Sequence, residues 1–551
     1  MKCEDIIQRF GSVESQRTTI EEAWWKVDTY VSPYRIAGDK SQYYSEHQYQ
    51  SIHREHHDST AVYSAKTLKS HIHGMLVSPA TKWFGMRHRE DALNENSEAK
   101  IWLEDTEDRV YQALLQSKFN IMSAEFLYDM VTYGIGFGCE ESGDDGMLDF
   151  TTVPVRDAFF ELDHKSELKI FYRRYMWTPL QIKSKFGDDC PEDIKEKCQS
   201  AASVDEKIEI IYCVYERKKY KDESDGVMPK NRKYGKKYVR RSDMSMIGDE
   251  GGFYEMPFFY ALWDSTSGSK FGNSPAMTCM ADIERLNVIV KAEREQAGMA
   301  VAPPILTEDR NVIGDINLKK RGVTVVRRID KIREFITGAR FDVSDNTIQG
   351  LRASIERAFL MDSLQLKDSP AMTATEVQAR YDLMMRSISH TLGSLQSNFL
   401  DKVISRTVNI EYRADRLADI PDVMSESEGD IDISYTGPMA RAQKSDDVMS
   451  TRQWIQGDLP AIAEMQTNAG MPVTILDLPD FDKIGRDIGD LAGVPAKYMN
   501  SEEEIKAIRD AREEKEKAME EMMKMQQAGE TMKSIGEGGA AMEQQGMQAV
   551  G

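Results

Sequence analysis

No stretch of this chain is apolar for long enough to cross a bilayer. The longest such runs, Met256 to Trp263 and Met299 to Leu306, reach eight residues, where a spanning helix needs about 18–20. The first residues, Met-Lys-Cys-Glu-Asp-Ile-Ile-Gln-Arg, lack the apolar centre of a secretory signal. A cytoplasm-like compartment is therefore expected. Cysteine is scarce and scattered: Cys3, Cys139, Cys190, Cys198, Cys213 and Cys279 form no CxxC pair. They read as free thiols rather than as a disulfide frame or a zinc site. There is no GxxxxGK[ST], which excludes a P-loop ATPase, and no HExxH or GxSxG. Excess positive charge is missing too. Lys+Arg number 71 against 92 Asp+Glu, a net charge of −21, which argues against a simple phosphate-neutralising nucleic-acid binder.

What is present is ample material for buried cores. Forty per cent of the 551 residues are apolar, and that length suits about three to five domain-sized units. The first part reads as helical. Ile20, Trp24, Val27 and Tyr30 make one apolar stripe that Ser32-Pro33 stops. A second stripe runs through Val62, Ala65, Leu68, Ile72 and Leu76 to Ser78-Pro79, and a third carries Trp102, Val110, Tyr111, Leu114 and Leu115. From Ile135 to Trp263 short β-type runs take over, for example Ile208 to Tyr215, separated by turns such as Asp144-Asp145-Gly146.

Helix resumes after Asn273-Ser274-Pro275, with Pro275 in the first turn, and continues through Ile283, Leu286 and Val290 to Pro303-Pro304. A mixed segment over 303–343 follows, then a helix over about 344–361 holding Ile348, Leu351, Ile355 and Phe359. The clearest periodicity comes next. Val377, Tyr381, Met384, Ile388, Leu392, Leu395, Phe399 and Val403 predict a helix of more than thirty residues, about 45–50 Å long. Helical patterns return around Trp454 to Leu459 and Phe481 to Leu491. Residues 501–551 hold no aromatic; a solvated helix is expected first, then a Gly/Gln/Met-rich end too poor in apolar residues to stay ordered.

Signals for chemistry are weak. Gly134-Ile-Gly-Phe-Gly138 looks like a phosphate loop, but helix precedes it and strand follows, the reverse of a dinucleotide fingerprint, so a helix-to-strand turn is expected. His53-Arg-Glu-His56-His57-Asp58 could supply metal ligands, yet its spacing matches no established site and a polar loop before a helix accounts for it. Asp144/Asp145 and Asp446/Asp447 sit where turns and helix starts favour Asp. No catalytic residue, cofactor or metal is assigned.

Three ordered segments carry a resemblance. They are Ser59-Thr-Ala61 through His73-Gly-Met-Leu76 to Ser78-Pro-Ala-Thr-Lys-Trp-Phe84, then Phe271-Gly-Asn-Ser-Pro275, then Thr373-Ala-Thr-Glu-Val-Gln-Ala-Arg380. Trp25, Tyr30 to Pro33, Leu392-Gly393, Tyr435 to Ala442 and Gly493-Val-Pro495 support them. Together they resemble the portal, or head-to-tail connector, proteins of short-tailed double-stranded DNA bacteriophages. The resemblance implies a mainly helical α+β portal fold assembled as a ring, usually dodecameric, at one capsid vertex. It implies a wing over 1–270, helical then β-rich. A descending stem helix over 271–302, a clip over 303–343 and an ascending stem helix over 344–361 would follow. A tunnel loop over 362–374 would lead into a long helix and wing return over 375–439. A crown over 440–510 and a mobile tail over 511–551 would complete the chain.

The same resemblance implies a non-enzymatic conduit for DNA packaging and ejection, present in the virion and in host cytoplasm during assembly. Implied partners are other copies of the chain, double-stranded DNA without sequence preference, the terminase large subunit, scaffold and major capsid protein, and a tail adaptor protein; no membrane is involved. Within the clip, Lys319, Lys320, Arg321, Arg327, Arg328, Lys331, Arg333 and Arg340 face only Asp330 and Glu334, a local balance of +6. Repeated by rotation this is a basic collar for DNA or an acidic partner, with a solvated hairpin face as the plainer alternative. In the tunnel loop Lys367, beside Asp368 and Ser369, is the single cation, placed to touch backbone phosphates. Two other readings stay open: a different ring-shaped head-tail adaptor, and a metal-dependent DNA-processing enzyme.

Overall fold

The computed structural model describes residues 1–35, 54–77, 79, 82–90, 93, 96–143, 147–200, 203–220, 228–266, 268–301, 305–307, 332–334, 341–364, 388–425, 431–435, 450–469, 474–492, 504–519 and 522–523. Contacts divide the chain into two compact units. One comprises Met1–Met86, Asp105–Asp419 and Ile433–Met439; the other comprises Arg87–Glu104, Ile420–Asp432 and Ala440–Gly551.

The first unit opens with α1 (Cys3–Tyr30), 28 residues long. The stripe expected from the sequence is buried at Trp24 and Val27, and extends back to Ile6 and Phe10. Then come α2 (Thr60–Leu76), β1 (Phe84–His88) and α3 (Ser97–Gln116), of which Arg87–Glu104 belongs to the second unit, and α4 (Phe119–Tyr133). The β-rich part holds β2 (Ile135–Ser142), β3 (Leu148–Thr152), β4 (Ala158–Leu162) and β5 (Leu168–Trp177). After two short helices, α5 (Pro179–Phe186) and α6 (Glu192–Gln199), it continues with β6 (Ile208–Glu216), β7 (Tyr234–Arg240), β8 (Met246–Phe253) and β9 (Phe258–Leu262). The two helices were not expected from the sequence. A capping box at Thr178, whose hydroxyl accepts from Gln181 N–H while the Gln181 amide accepts from Thr178 N–H, starts the first of them.

The strands form a five-stranded antiparallel sheet, β4-β5-β6-β7-β8, and a three-stranded one, β3-β2-β9. One face of the larger sheet packs under α1, where Ile6 and Phe10 meet Phe159, Ile170, Tyr172, Ile211, Cys213, Tyr215 and Val239. Alternation along each strand puts these residues on one side. Arg17 of α1 is buried in this layer. Its guanidinium donates to the carbonyls of Val155, Arg156 and Ala158 and lies 3.7 Å above the Phe159 ring. With the ion pair to Glu21 at 2.7 Å, these carbonyls of the buried turn at 155–158 satisfy the guanidinium.

Between α4 and β2 the chain turns at Gly134, whose φ of +81° places it in the left-handed region. This is the helix-to-strand turn expected for the glycine-rich segment. A Cβ here would sit 2.3 Å from the Gly272 carbonyl oxygen, so two backbones meet at this point with no room for a side chain. All six cysteines are free thiols.

In the second unit, helix begins at 450 and passes through a π-turn over Trp454–Asp458 into α10 (Leu459–Asn468), with α11 (Phe481–Ala492) following. A solvated helix covers 504–519, where Arg509 pairs with Asp482 at 2.7 Å. No described helix is long and apolar enough to cross a membrane.

Candidate functional site

The segment after β9 builds a pair of helices, starting from a well-packed base. Phe271 packs edge-on against Trp24 and Phe160, at 5.5 and 5.7 Å between ring centroids. Ser274 caps the next turn: its hydroxyl accepts from Met277 N–H at 3.0 Å and donates to the Thr132 carbonyl at 2.7 Å. Pro275 occupies the first helical turn, as the sequence predicts. The turn α7 (Pro275–Thr278) leads into α8 (Met280–Val301), and α9 (Phe341–Ala358) returns. Ile283, Leu286 and Val290 of α8 and Ile348, Leu351 and Ile355 of α9 are all buried, and the two helices pack against each other. Ser354 donates to Asp282 at 2.7 Å, joining the start of α8 to the end of α9. At the opposite end β10 (Ile305–Thr307) pairs antiparallel with β11 (Ile332–Glu334). The two helices are therefore antiparallel, and the span between them is closed at its base by a short ladder.

A polar network that the sequence reading missed fixes this helix pair to α2. Asn287 lies on the buried stripe of α8 and its side-chain oxygen accepts from the N–H groups of His57 and Asp58, at 2.7 and 3.0 Å. Its amide donates to the Ile283 carbonyl at 2.8 Å. Asp58 in turn accepts from Thr60 N–H and from Arg352 of α9, both at 2.8 Å. Burial works to raise the Asp58 carboxyl, but the bonds from Thr60 and Arg352 prevail and hold it below its ordinary value. The His57 imidazole is pushed down, first by burial and then by Lys291 and Arg294. The histidine-rich segment, considered above for metal, is thus a docking segment where it is described. Among the described residues no group of three or more His, Cys, Asp or Glu is placed to hold a metal ion. An asparagine inside an apolar helical stripe was the available signal.

A second element packs beside the smaller sheet. Helix runs through 388–395, a π-turn over Gln396–Leu400 and Asp401–Arg413. Phe399 enters an aromatic cluster, stacked on Phe126 at 4.3 Å and tilted against Phe259 at 5.2 Å. The π-turn widens the helix there, and the Gln396 carbonyl accepts from Asp401 N–H as well as from the Tyr435 hydroxyl. One turn on, Thr407 donates to the buried carboxyl of Glu140 at 2.9 Å, and Arg406 donates to the Glu140 carbonyl at 3.1 Å. The other Glu140 oxygen, Oε2, has no hydrogen-bond partner among the described residues. Burial pushes this carboxyl up to about 8, against the opposing pull of Arg406. Arg406 and Arg413 share Glu255, at 3.0 and 2.7 Å.

Of the site residues expected from the sequence, Arg333 lies in β11, opposite Leu306. Lys319, Lys320, Arg321, Arg327, Arg328 and Lys331, like Lys367, Asp368 and Ser369, lie outside the described residues. So do 375–387 of the expected long helix and the pairs Asp144/Asp145 and Asp446/Asp447. The expected helix over 344–361 begins three residues earlier, at Phe341, and ends at Ala358, where Leu360 takes a φ of +58° before a further helical turn, Met361–Leu364.

Residues 3–499 match a family model described as bacteriophage head to tail connecting protein. A portal protein of Salmonella phage epsilon15 is 21% identical over 554 residues, spanning 97% of this chain and 95% of that protein. A probable portal protein of Bordetella phage BPP-1 is 19% identical over 554 residues, spanning 96% and 95% respectively.

Proposed function

From the premise that this chain belongs to the bacteriophage head-to-tail connecting protein family, we propose that it works as one subunit of a ring at a capsid vertex, enclosing a channel for double-stranded DNA. The match over 3–499 carries this reading. The antiparallel helix pair with its ladder-closed span supports it, because a rotationally repeated pair of helices can wall an axial channel. In these terms α8 and α9 are the stem and 303–343 is the clip. The span 362–374 is the tunnel loop, 440–510 the crown, and the helix through 388–413 part of the wing.

The task assigned to the ring is passage without reaction. A net charge of −21 per copy suits a wall that must not grip its cargo, since extensive phosphate neutralisation would hold a duplex in place. Contacts to the sugar–phosphate backbone are independent of sequence, so a few cationic rings can guide any genome. Lys367 is proposed as one such ring, and the basic stretch around Lys319 to Arg340 as a collar for DNA or for an acidic face of the motor or tail. The chain performs no catalysis in this scheme. Incubated with plasmid and Mg²⁺ or Mn²⁺, the purified protein is expected to leave the DNA intact. The decisive experiment is negative-stain imaging of the purified full chain. Annular particles with an axial hole are expected, and a compact monomer at every concentration would overturn the proposal.

A further inference from the structure

The two faces of the five-stranded sheet treat their cations differently. On the side of α1, Arg9 meets Glu161, Arg174 meets Glu14 at 3.5 Å, and Lys237 meets Glu250 at 3.0 Å. On the opposite side stand Arg173 of β5, Lys236 of β7 and Lys185 of α5. None of these three has an ion pair or hydrogen bond from its side chain among the described residues. They lie on aromatic rings instead. Arg173 is 4.6 Å from the Tyr175 centroid, Lys185 is 5.3 and 5.1 Å from those of Trp177 and Tyr238, and Lys236 is 4.9 Å from that of Phe253.

The rings form a continuous layer whose inner members, Tyr212 and Tyr238, are buried and whose outer members, Tyr175 and Trp177, are half-buried. Tyr175 stacks on Trp177 at 4.2 Å, Tyr212 on Tyr238 at 4.5 Å, and Trp177 lies 6.1 Å from Tyr238. Arg173, Tyr212 and Tyr238 occupy one row across three strands, which places them on the same face. Glu141 of β2 accepts the Tyr212 hydroxyl at 2.8 Å, and Asp157, whose charge also reaches Tyr175, is paired with Arg174. Three cations against these two carboxylates, one of them already paired, leave a local excess of positive charge in a chain whose net charge is −21. Lys185 is exposed, and Arg173, Lys236, Tyr175 and Trp177 are half-buried.

We propose that this aromatic–cationic face is where an acidic surface of a neighbouring copy of the chain docks, an inference that rests on the ring reading above. Closing a ring takes a heterologous contact, two different and complementary patches on each copy. Copies this acidic repel one another wherever like surfaces meet, so a cationic patch whose lysines and arginine have no ion-pair partner among the described residues supplies the complement. Tyr, Trp and Arg are also the residues that concentrate binding energy at interface centres. A carboxylate arriving here and displacing water would meet, beside the exposed Lys185, two charges already half-withdrawn from solvent, Arg173 and Lys236, where attraction is stronger. Nucleic acid fits less well. Stacking of bases needs free ring faces, and these are occupied by Lys185, Arg173 and one another.

The test compares the full-length wild type with Lys185→Glu/Lys236→Glu by mass photometry and negative stain, with circular dichroism to confirm folding. A folded charge-reversed variant that stays monomeric under conditions where the wild type forms rings is expected, with assembly recovered in Lys185→Arg/Lys236→Arg. Should the reversed variant misfold, Lys185→Gln/Lys236→Gln replaces it, and the concentration needed for assembly is expected to rise about tenfold or more. Rings formed by the folded reversed or neutral variant at the wild-type concentration would overturn the proposal, including the case in which only DNA retention is lost. A wild-type chain that forms no ring would overturn the parent reading and this one together, and that arm separates the two failures.

Discussion

Glu140 is a fully buried carboxyl, held by Thr407 and left with one unbonded oxygen among the described residues. The folded chain keeps its proton up to about pH 8, whereas the unfolded chain releases it near 4.5. The unfolded state therefore gains from deprotonation first, and stability falls as pH rises between those values, by roughly 4–5 kcal/mol in all, before levelling off. Denaturant titrations of the wild type at several pH values should show that slope, and Glu140→Gln should make it shallower without abolishing it, because burial also pushes Asp129 up to about 7. Gly134 poses a steric problem rather than an electrostatic one. Gly134→Ala combines a left-handed backbone with a Cβ 2.3 Å from the Gly272 carbonyl oxygen. Its expected cost is about 3 kcal/mol or more, read as a lower midpoint in urea.

The helices that carry broad apolar stripes were legible in the sequence, because periodicity survives whatever they pack against. α1, α2, α3, α8 and α9 fall where Trp24, Leu68, Leu114, Ile283 and Ile355 place them. The capping box of α5 was readable as Thr178-Pro-Leu-Gln181, but eight residues give periodicity too little length to register. The π-turn over Gln396–Leu400 was not readable at all: it depends on how Phe399 meets Phe126 and Phe259, residues distant in sequence. Nor was the anchor of the helix pair, since nothing in the order of residues joins Asn287 to His57 and Asp58. Asn287→Ala removes the acceptor for two N–H groups, and a loss of about 2 kcal/mol is expected in a denaturant titration. Asn287→Asp keeps the acceptor but buries a carboxylate against the Ile283 carbonyl and beside Asp58, so at neutral pH it should not recover the loss.

For the whole molecule the expected behaviour is collective. A dodecamer would weigh about twelve times the 62.7 kDa of one chain, a mass that native mass spectrometry would resolve from neighbouring ring sizes. In a packaging reaction, Lys367→Ala is expected to lower DNA retention if this cation rings the channel; unchanged packaging and retention would reject that role. The collar residues and the tunnel loop were singled out by charge and by resemblance, and charge says which residues could meet DNA without saying where they stand. The ladder between Ile305–Thr307 and Ile332–Glu334 has a separate consequence. It brings the two ends of the intervening span to within one interstrand spacing, about 4.8 Å, so a cassette of foreign sequence needs only to begin and finish at adjacent points. Because closure entropy grows only logarithmically with length, grafts of quite unequal size should be tolerated by the same pair of helices. Thr307 and Ile332 thus mark where such a graft would start and finish, with the two helices left unchanged.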